Sequence, residues 1–260
     1  MSETRKFLRD AGLIFRRTAT EAIRGVGLAF VAPTLLALFI LVLFQGVYGN
    51  IAETPGWPTD GLIDWVASGG VLLSVFVGAG YTATGLLRDI DSGYLERLRL
   101  LPIHPASVLA GKLAFEGVRA AIPAAAVLAI AALLGAEMPG PAGFVAIVLI
   151  ACALAVAWNG IFYLSALKTR NHAAVLGLQP LFMPVIMFST FWVPTTFMPD
   201  WYRTIAAWNP FTPILDATRS IAFESVVWSD VIVGAAVIVA LAALTYSGAA
   251  RLYSRATAAD

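Results

Sequence analysis

The sequence predicts an all-α, polytopic membrane protein with six transmembrane helices, and two observations support that prediction. The chain of 260 residues is 59% hydrophobic and 13% charged, whereas soluble domains carry about 25% charged residues. Six apolar stretches also meet or approach the roughly 20 residues that a helix needs to cross a bilayer core of about 30 Å. A water-soluble fold would have no interior large enough for this much Leu, Ala, Val and Ile.

The six predicted spans cover residues 25–48, 62–87, 108–135, 143–167, 173–193 and 231–252. The fifth contains Gln179, Pro180 and Pro184, and we expect a kink there because proline removes a backbone hydrogen-bond donor and clashes with the preceding turn. The sequence has no internal repeat. One membrane domain is therefore expected to cover residues 1–260.

The distribution of basic residues predicts the orientation of these spans. The segments expected on one side carry Arg5, Lys6, Arg9, Arg16, Arg17, Arg24, Arg88, Arg97, Arg99, Lys112, Lys168, Arg170, Arg251 and Arg255. The connections on the other side hold Arg203 and Arg219 among many acidic residues. Cytoplasmic loops are enriched in Lys and Arg. We therefore expect a multi-pass protein of the cell membrane (the inner or plasma membrane) with both termini in the cytoplasm.

Residues 1–24 are too polar and interrupted to span a membrane. Apolar residues recur there at helical spacing beside Arg5, Lys6, Arg9 and Arg16, namely at Phe7, Leu8, Ala11, Ile14 and Phe15. This pattern is typical of an amphipathic helix lying on the cytoplasmic surface of a membrane. The alternative is a disordered basic tail.

Residues 193–230, which precede the last span, are too apolar for a solvated loop and contain several prolines. Two short helices fit this segment, at residues 200–208 and 212–223, with Asn209 and Pro210 between them. Trp201, Tyr202, Trp208 and Trp228 suit the level of the lipid headgroups. We predict an external re-entrant hairpin, in which Asp216 and Arg219 pair on one helix face.

The sequence carries no catalytic motif. It lacks the G-x-x-x-x-G-K-[ST] phosphate loop, and the glycines at 78, 80 and 85 lie within the second span, where small residues serve close helix packing. His104 and His172 lie in separate connections and Cys152 is the single cysteine, so neither a metal site nor a disulfide is expected. We therefore expect no enzyme active site, no cofactor of the chain's own and no nucleic-acid partner.

Polar residues inside the predicted spans have two readings. Lys112, Glu116 and Arg119 share one face of the third span, either as a mutually paired stripe that faces other protein or as a proton or substrate relay. Asn159, Tyr163 and Gln179 suit hydrogen bonds between helices or the lining of a substrate path. An aromatic and Met-rich set near Gln179 indicates either a hydrophobic substrate route or ordinary helix packing and lipid contact; it consists of Phe182, Met183, Met187, Phe188, Phe191 and Trp192.

The segment from Arg88 to Lys112 is a charged interruption between two apolar stretches. Asp89, Asp91, Glu96, Arg97 and Arg99 precede a turn that contains His104. Charged side chains around an apolar centre (Leu95, Leu98, Leu100 and Leu101) are typical of a docking surface. We expect a soluble partner to bind here, chiefly through Glu96 and Arg97.

Two blocks of this sequence resemble the permeases of ABC type-2 exporters, especially those of daunorubicin/doxorubicin-resistance type. The first, which runs from Asp89 to near Gly111-Lys112, is similar to the cytoplasmic loop of that family, although Lys112 stands where Arg is common and His104-Pro105 departs from the usual residues. The second, residues 198–219, is similar to the external segment before the last helix. The blocks occur in the family's order.

The resemblance implies the partners and the energy source. Such permeases pair with an identical or related permease, and two copies of a separate ABC ATPase subunit bind on the cytoplasmic side. Residues 88–107 would then contain the coupling helix, braced by residues 1–24. ATP and Mg²⁺ would be bound by the ATPase, which accounts for the missing phosphate loop.

The function expected from the resemblance is ATP-driven export of an amphipathic or lipidic compound. A second reading within the same family is export of a glycan or a lipid-linked polymer. A reading from another class is an ion-coupled secondary transporter, which would favour ionisable residues near the bilayer midplane and an inverted repeat. The charges of this sequence lie mainly on the cytoplasmic side and no repeat is visible.

Overall fold

The computed structural model describes residues 3–100, 103, 105–137, 139–181, 183–223 and 226–258. All regular structure within these residues is helical, as predicted. The α-helices are α1 (Glu3–Arg24), α2 (Ala32–Tyr48), α3 (Leu62–Gly78), α4 (Tyr81–Asp91), α5 (Tyr94–Arg99), α6 (Pro105–Leu133), α7 (Pro141–Thr169), α8 (His172–Leu176), α9 (Leu178–Leu181), α10 (Met183–Met187), α11 (Asp200–Trp208), α12 (Thr212–Ala222) and α13 (Trp228–Ala258). His104 and Phe182 lie outside the described residues, and so do the side chains of Glu96 and Arg99.

Within this described part, five helical segments are long and apolar enough to cross a membrane: Gly27–Glu53, Leu62–Asp91, Ala106–Leu133, Pro141–Thr169 and Trp228–Gly248. They coincide with the first, second, third, fourth and sixth predicted spans. The fifth predicted span falls on the helical segments α8, α9 and α10. Pro180 lies in α9 and Pro184 in α10, on either side of Phe182, which is outside the described residues, so the kink stays a prediction.

The second span lies at the centre of the fold. In its most apolar stretch 94% of the residues are buried by other parts of the chain, against 22% for the first span and 17% for the last. Helix α3 packs against α2, α6, α7 and α12, while α13 packs against α7 and α12. Many large apolar side chains are accordingly exposed on the outer faces of α2 and α13, which suits contact with lipid or another subunit.

Helix α1 packs lengthwise against α6. Its buried side chains recur every four residues, at Asp10, Ile14, Thr18 and Ala22, so that one face of the helix meets the protein. Phe15 of α1 meets Phe115 of α6 edge to face, with ring centroids 5.9 Å apart. Leu8, Leu13 and Ile23 stay exposed. The sequence thus correctly indicated a helix, while its position on a membrane surface stays a prediction.

The segment before α13 contains the two short helices expected from the sequence, α11 and α12. Helix α12 packs against α3, α7 and α13, and most of its residues are buried. Trp201, Trp208 and Trp228 are exposed. This arrangement holds α12 against the helical core and leaves these three tryptophans exposed, whereas Tyr202 is half-buried and Phe211 is buried.

Candidate functional site

The second span is broken at Ala79 and Gly80. Helix α3 ends at Gly78, Ala79 is extended (ψ 151°), and Gly80 has a left-handed backbone (φ 82°) from which α4 starts. A Cβ atom on residue 80 would lie 2.9 Å from Cδ1 of Phe162. Glycine is therefore required by the backbone conformation and by the space available. Such a break frees backbone carbonyls and amides that a continuous helix would pair.

Side chains from other helices satisfy the freed carbonyl groups. Arg119 of α6 donates from Nη2 to the carbonyl oxygen of Gly78 at 3.0 Å. Gln179 of α9 donates from Nε2 to the carbonyl oxygens of Val77 at 2.8 Å and of Ala79 at 3.2 Å. Three consecutive carbonyls at the break thus have side-chain partners. In a membrane interior such partners are essential, because an unsatisfied backbone group there costs several kcal/mol.

Asn159 of α7 connects the break to a buried acid. Its Oδ1 accepts the backbone N–H of Gly80 at 2.9 Å, and its Nδ2 donates to Oε1 of Glu116 at 2.8 Å and to the carbonyl oxygen of Ala155 at 3.0 Å. The side chain is completely buried. Its amide therefore serves the contact between α3–α4 and α6, and does not face an open path.

Glu116 and Arg119 form a buried ion pair on α6, with both side chains fully inaccessible. Thr82 of α4 donates to Oε2 of Glu116 at 2.8 Å, and Arg119 donates from Nη1 to the carbonyl oxygen of Ala29 at 2.8 Å. Buried charges persist when they are paired and hydrogen-bonded. The pairing and burial agree with the reading of a paired stripe that faces other protein.

Tyr163, the other α7 residue assigned to a possible substrate path, lies beside the same cluster. Its side chain is fully buried, and its hydroxyl lies near Thr82 and Glu116. Asn159 and Tyr163 are thus brought together at the break in the second span.

Near the cytoplasmic end predicted for this span, Asp89 joins three helices. Its Oδ1 lies 2.5 Å from Nη2 of Arg17 on α1, and its Oδ2 lies 2.7 Å from Nζ of Lys112 on α6. Asp89 and Lys112 are 3% and 1% exposed. The Arg17 guanidinium also stacks on the ring of Tyr94 at 3.8 Å, at the start of α5. Asp89 is therefore an internal strut and has little surface to offer a partner.

The charged segment that follows α4 is exposed where the structure describes it. Arg97 and Leu100 are exposed and Leu98 is half-buried. Asp91 is exposed and its Oδ2 lies 3.1 Å from Nε2 of His172 at the start of α8. Arg97 and Asp91 are thus accessible members of the predicted coupling set, in contrast to Asp89.

An apolar cavity of about 220 Å³ lies next to the break at Ala79 and Gly80. It is lined by Leu36, Ile40, Leu73, Phe76, Val77, Trp158, Phe162, Gln179, Pro180, Met183 and Ile186. Gln179 and Met183 of the predicted path thus share this cavity, whereas the backbone carbonyl of Met187 accepts the hydroxyl of Tyr202 elsewhere. No charged residue is among the lining residues, which favours an uncharged or weakly polar ligand.

Asn209 connects the segment between α11 and α12 to the end of α10. Its Nδ2 donates to the carbonyl oxygens of Val185 at 2.6 Å and of Phe188 at 2.8 Å, and its Oδ1 accepts the N–H of Phe211 at 2.9 Å. Pro210, which follows it, is exposed. The turn between α11 and α12 is therefore fixed by one side chain.

Arg219 is a buried cation on α12. Its guanidinium stacks on the indole of Trp65 at 3.7 Å and donates to Oγ1 of Thr190 at 3.1 Å and to the carbonyl oxygen of Phe191 at 3.2 Å. The predicted partner Asp216 lies 3.9 Å away and is partly exposed. Burial lowers the pKa of Arg219 to about 9, against the opposing effect of Asp216. Burial also raises the pKa of Asp216, and the nearby positive charge of Arg219 reduces that increase.

Two parts of this arrangement differ from the sequence-based expectation. The glycines at 78, 80 and 85 predict close helix packing, whereas the structure has a break there, and Arg17 is expected only as one basic residue of the first segment. A signal for the break is present in the sequence, because Gly78-Ala79-Gly80 places two poor helix formers in the middle of a span. No comparable signal identifies the contact of Arg17 with Asp89, since the two residues are 72 positions apart in the sequence.

Comparison with known proteins agrees with the architecture. A family model described as ABC-2 type transporter matches residues 10–223. The daunorubicin resistance ABC transporter permease of Streptomyces coeruleorubidus is 26% identical over 193 residues, which cover 72% of this chain and 66% of that relative. A protein of Mycobacterium tuberculosis, described as a probable doxorubicin resistance ABC transporter permease, is 24% identical over 205 residues, covering 78% and 73% of the two chains.

The identities are modest, and the chain spans just under two thirds of the length of the daunorubicin-resistance relative. The family match, by contrast, covers most of the chain and includes both the segment from Arg88 to Lys112 and residues 198–219. Together with five helices that can cross a bilayer, it identifies a multi-pass membrane protein. This chain belongs to the ABC-2 type transporter family.

Proposed function

We propose that this chain is the membrane permease subunit of an ATP-driven exporter that moves an amphipathic or lipidic compound across the cell membrane. ATP hydrolysis would be supplied by two copies of a separate ABC ATPase subunit bound on the cytoplasmic side. A second permease, identical or related, would complete the complex. Both termini would be cytoplasmic. The segment from α8 to α10 would form the fifth of six membrane crossings, with α13 as the last.

The observation that most supports this proposal is the way the charged segment is attached to the membrane helices. Asp89 binds Arg17 and Lys112, so the helix that leads into α5 is tied to α1 and α6. Next to this rigid support, Arg97 is exposed. An accessible charged element on a fixed base is suited to transmit the movement of a docked partner into the membrane domain.

The arrangement of α1 supports the same proposal. One face of α1 packs on α6. In the second half of α1, Arg17 contacts Asp89 of α4 and Tyr94 of α5. Lying along the cytoplasmic surface of the membrane, α1 would brace the coupling element. The external hairpin would sit at membrane depth on the opposite side, with its backbone turn fixed by Asn209 and its buried cation held by Trp65.

The cargo is proposed from the apolar cavity and from the relatives. Two relatives are described as permeases for daunorubicin or doxorubicin resistance. The cavity beside Gln179 has aromatic and Met lining and no charged lining residue, which favours hydrophobic cargo over a glycan polymer. The ATPase of the complex, not this chain, would bind ATP and Mg²⁺.

The test is charge reversal of the proposed docking residues. Glu96→Lys combined with Arg97→Glu should abolish transport-linked ATP turnover in the reconstituted complex while the chain still inserts, because the docking charges would then repel the partner. Asp200→Lys is a control with an equally strong charge change, at a site 96% exposed on the predicted external side. It should leave turnover unchanged. Normal turnover with both docking charges reversed would contradict the proposal.

A further inference from the structure

One residue belongs both to the apolar cavity and to the break in the second span. Gln179 lines the cavity, and its Nε2 holds the carbonyl oxygens of Val77 and Ala79. The cavity is bounded on the same side by Val77 itself and by Phe162, which packs against Gly80. Any occupant of the cavity is therefore adjacent to the groups that stabilise the break.

We propose that Gln179 transmits occupancy of this cavity to the break: an uncharged hydrophobic compound with one hydrogen-bond acceptor binds there and draws the amide of Gln179 away from Val77 and Ala79. This inference deepens the proposed export function and rests on it only in treating the cavity as a cargo site. Gln179 is a positioning residue in this scheme, since it acts on the helix through its contacts.

The chemical class of the ligand follows from the lining. Gln179 is the one side chain with an amide group among the eleven lining residues, which also include the indole of Trp158, and no charged side chain lines the cavity to offset a ligand charge. The volume of about 220 Å³ lies below the roughly 300–1,000 Å³ of sites that enclose drug-sized ligands. The cavity therefore suits a compound, or part of a compound, with about two fused rings. Leu36, Gln179 and Met183 are all accessible, so the cavity opens beside α2.

The effect on the helix follows from the hydrogen bonds that are lost. Without the Gln179 amide, two carbonyl groups at the break have no side-chain donor in this environment, and the backbone must rearrange to satisfy them. The α3–α4 junction has the left-handed residue Gly80 as its pivot. Binding would therefore loosen or bend the junction where α4 begins.

Helix α4 connects this junction to the coupling segment. Its 11 residues form a rod of about 16 Å at 1.5 Å per residue. A change of about 10° at Gly80 would therefore move the far end of α4 by about 3 Å. That end carries Asp89, so the ion pairs to Arg17 and Lys112 would pass the movement on to α1 and α6, and it leads directly to α5. A ligand in the cavity would thus alter the position of the proposed docking element.

The test measures hydrogen–deuterium exchange of the peptide covering residues 76–84, in the purified chain in lipid nanodiscs without ATPase or nucleotide. Prodan, an uncharged naphthalene ketone, provides the acceptor, and 2-ethylnaphthalene provides similar rings without one. Prodan should accelerate exchange of this peptide saturably, by about tenfold, and 2-ethylnaphthalene should not. Equal responses to the two compounds, or no saturable response to prodan, would overturn the inference.

Two variants sharpen the test. Gln179→Met keeps the length of the side chain without the amide, so exchange should be fast before prodan is added and should not change afterwards. Leu36→Trp fills the cavity and leaves Gln179 intact, so exchange should be slow with and without prodan. A prodan response in either variant equal to that of the unmodified chain would also overturn the inference. Because no ATPase is present, these results are independent of the docking experiment.

Discussion

The backbone N–H of Gly80 donates to Oδ1 of Asn159 at 2.9 Å, across 79 positions of sequence. The Nδ2 of the same Asn159 side chain donates to Oε1 of Glu116, and Glu116 is in turn paired with Arg119. The irregular backbone in the second span is therefore stabilised by buried polar groups from two neighbouring helices. Non-helical backbone at membrane depth is tolerated only where protein or water satisfies it.

Replacement of Gly80 tests the break directly. Gly80→Ala forces an L-residue into the left-handed region, at about 1–2 kcal/mol, and places Cβ 2.9 Å from the ring of Phe162. The free energy of unfolding in mixed micelles should fall by at least that amount. Gly85→Ala is the matched control, because it lies in α4 with no heavy atom within 4 Å of the added carbon. It should be neutral or stabilise by about 0.5–1 kcal/mol. Equal effects of the two changes would contradict the requirement for glycine at the break.

Removal of Arg119 tests the buried pair. Arg119→Met leaves Glu116 charged and buried without its cation, which should destabilise the chain by about 3–5 kcal/mol. Adding Glu116→Gln should recover part of that loss. Recovery should be incomplete, because the carbonyl groups of Gly78 and Ala29 still lack the Arg119 donors. Denaturant titration of the single and double variants provides the measurement, and a single-variant loss below about 1 kcal/mol would exclude the buried-pair account.

Asp89 and Asp91 provide a matched pair of carboxylates in the coupling segment. Asp89→Asn leaves Lys112 buried beside a neutral amide and should destabilise the chain by about 3–5 kcal/mol. Asp91 is exposed and pairs with His172 at the surface, so Asp91→Asn should change stability by about 0–1 kcal/mol. Thermal unfolding of both variants in detergent distinguishes an internal strut from a surface charge. If the two variants lose the same stability, Asp89 has no special structural role.

Asn209→Ala tests the external segment. It leaves the carbonyl groups of Val185 and Phe188 without a donor, at about 1–3 kcal/mol for a group left unsatisfied. Local opening should expose the chain near Arg203, so trypsin should cut there faster than in the unmodified protein. Thr204→Ala is the control, since its hydroxyl bonds only within α11, to the carbonyl of Asp200. Unchanged cleavage in Asn209→Ala would show that the turn is held by other contacts.

Much of the fold was predictable from the sequence because the bilayer imposes a simple rule on composition. Apolar length identified five helices that are long and apolar enough to cross a membrane. Helix α11 matches its predicted bounds and α12 differs by one residue. The site was less predictable. Spacing placed Lys112, Glu116 and Arg119 on one face, but it could not reveal that Lys112 pairs with Asp89 while Arg119 pairs with Glu116.

The membrane class, the helical content and the charged segment after the second span are predictable from the sequence alone, since hydropathy, proline and charge act locally along the chain. The accessibility of the members of that segment depends instead on helix packing: Asp89 is enclosed by Arg17 and Lys112, whereas Asp91 and Arg97 are exposed. Packing also brings Asn159 and Gln179 to the break at Gly80. The pairs Arg17–Asp89, Gly80–Asn159 and Val77–Gln179 join positions 72 to 102 residues apart, and they form because buried polar groups must find partners wherever packing brings helices together.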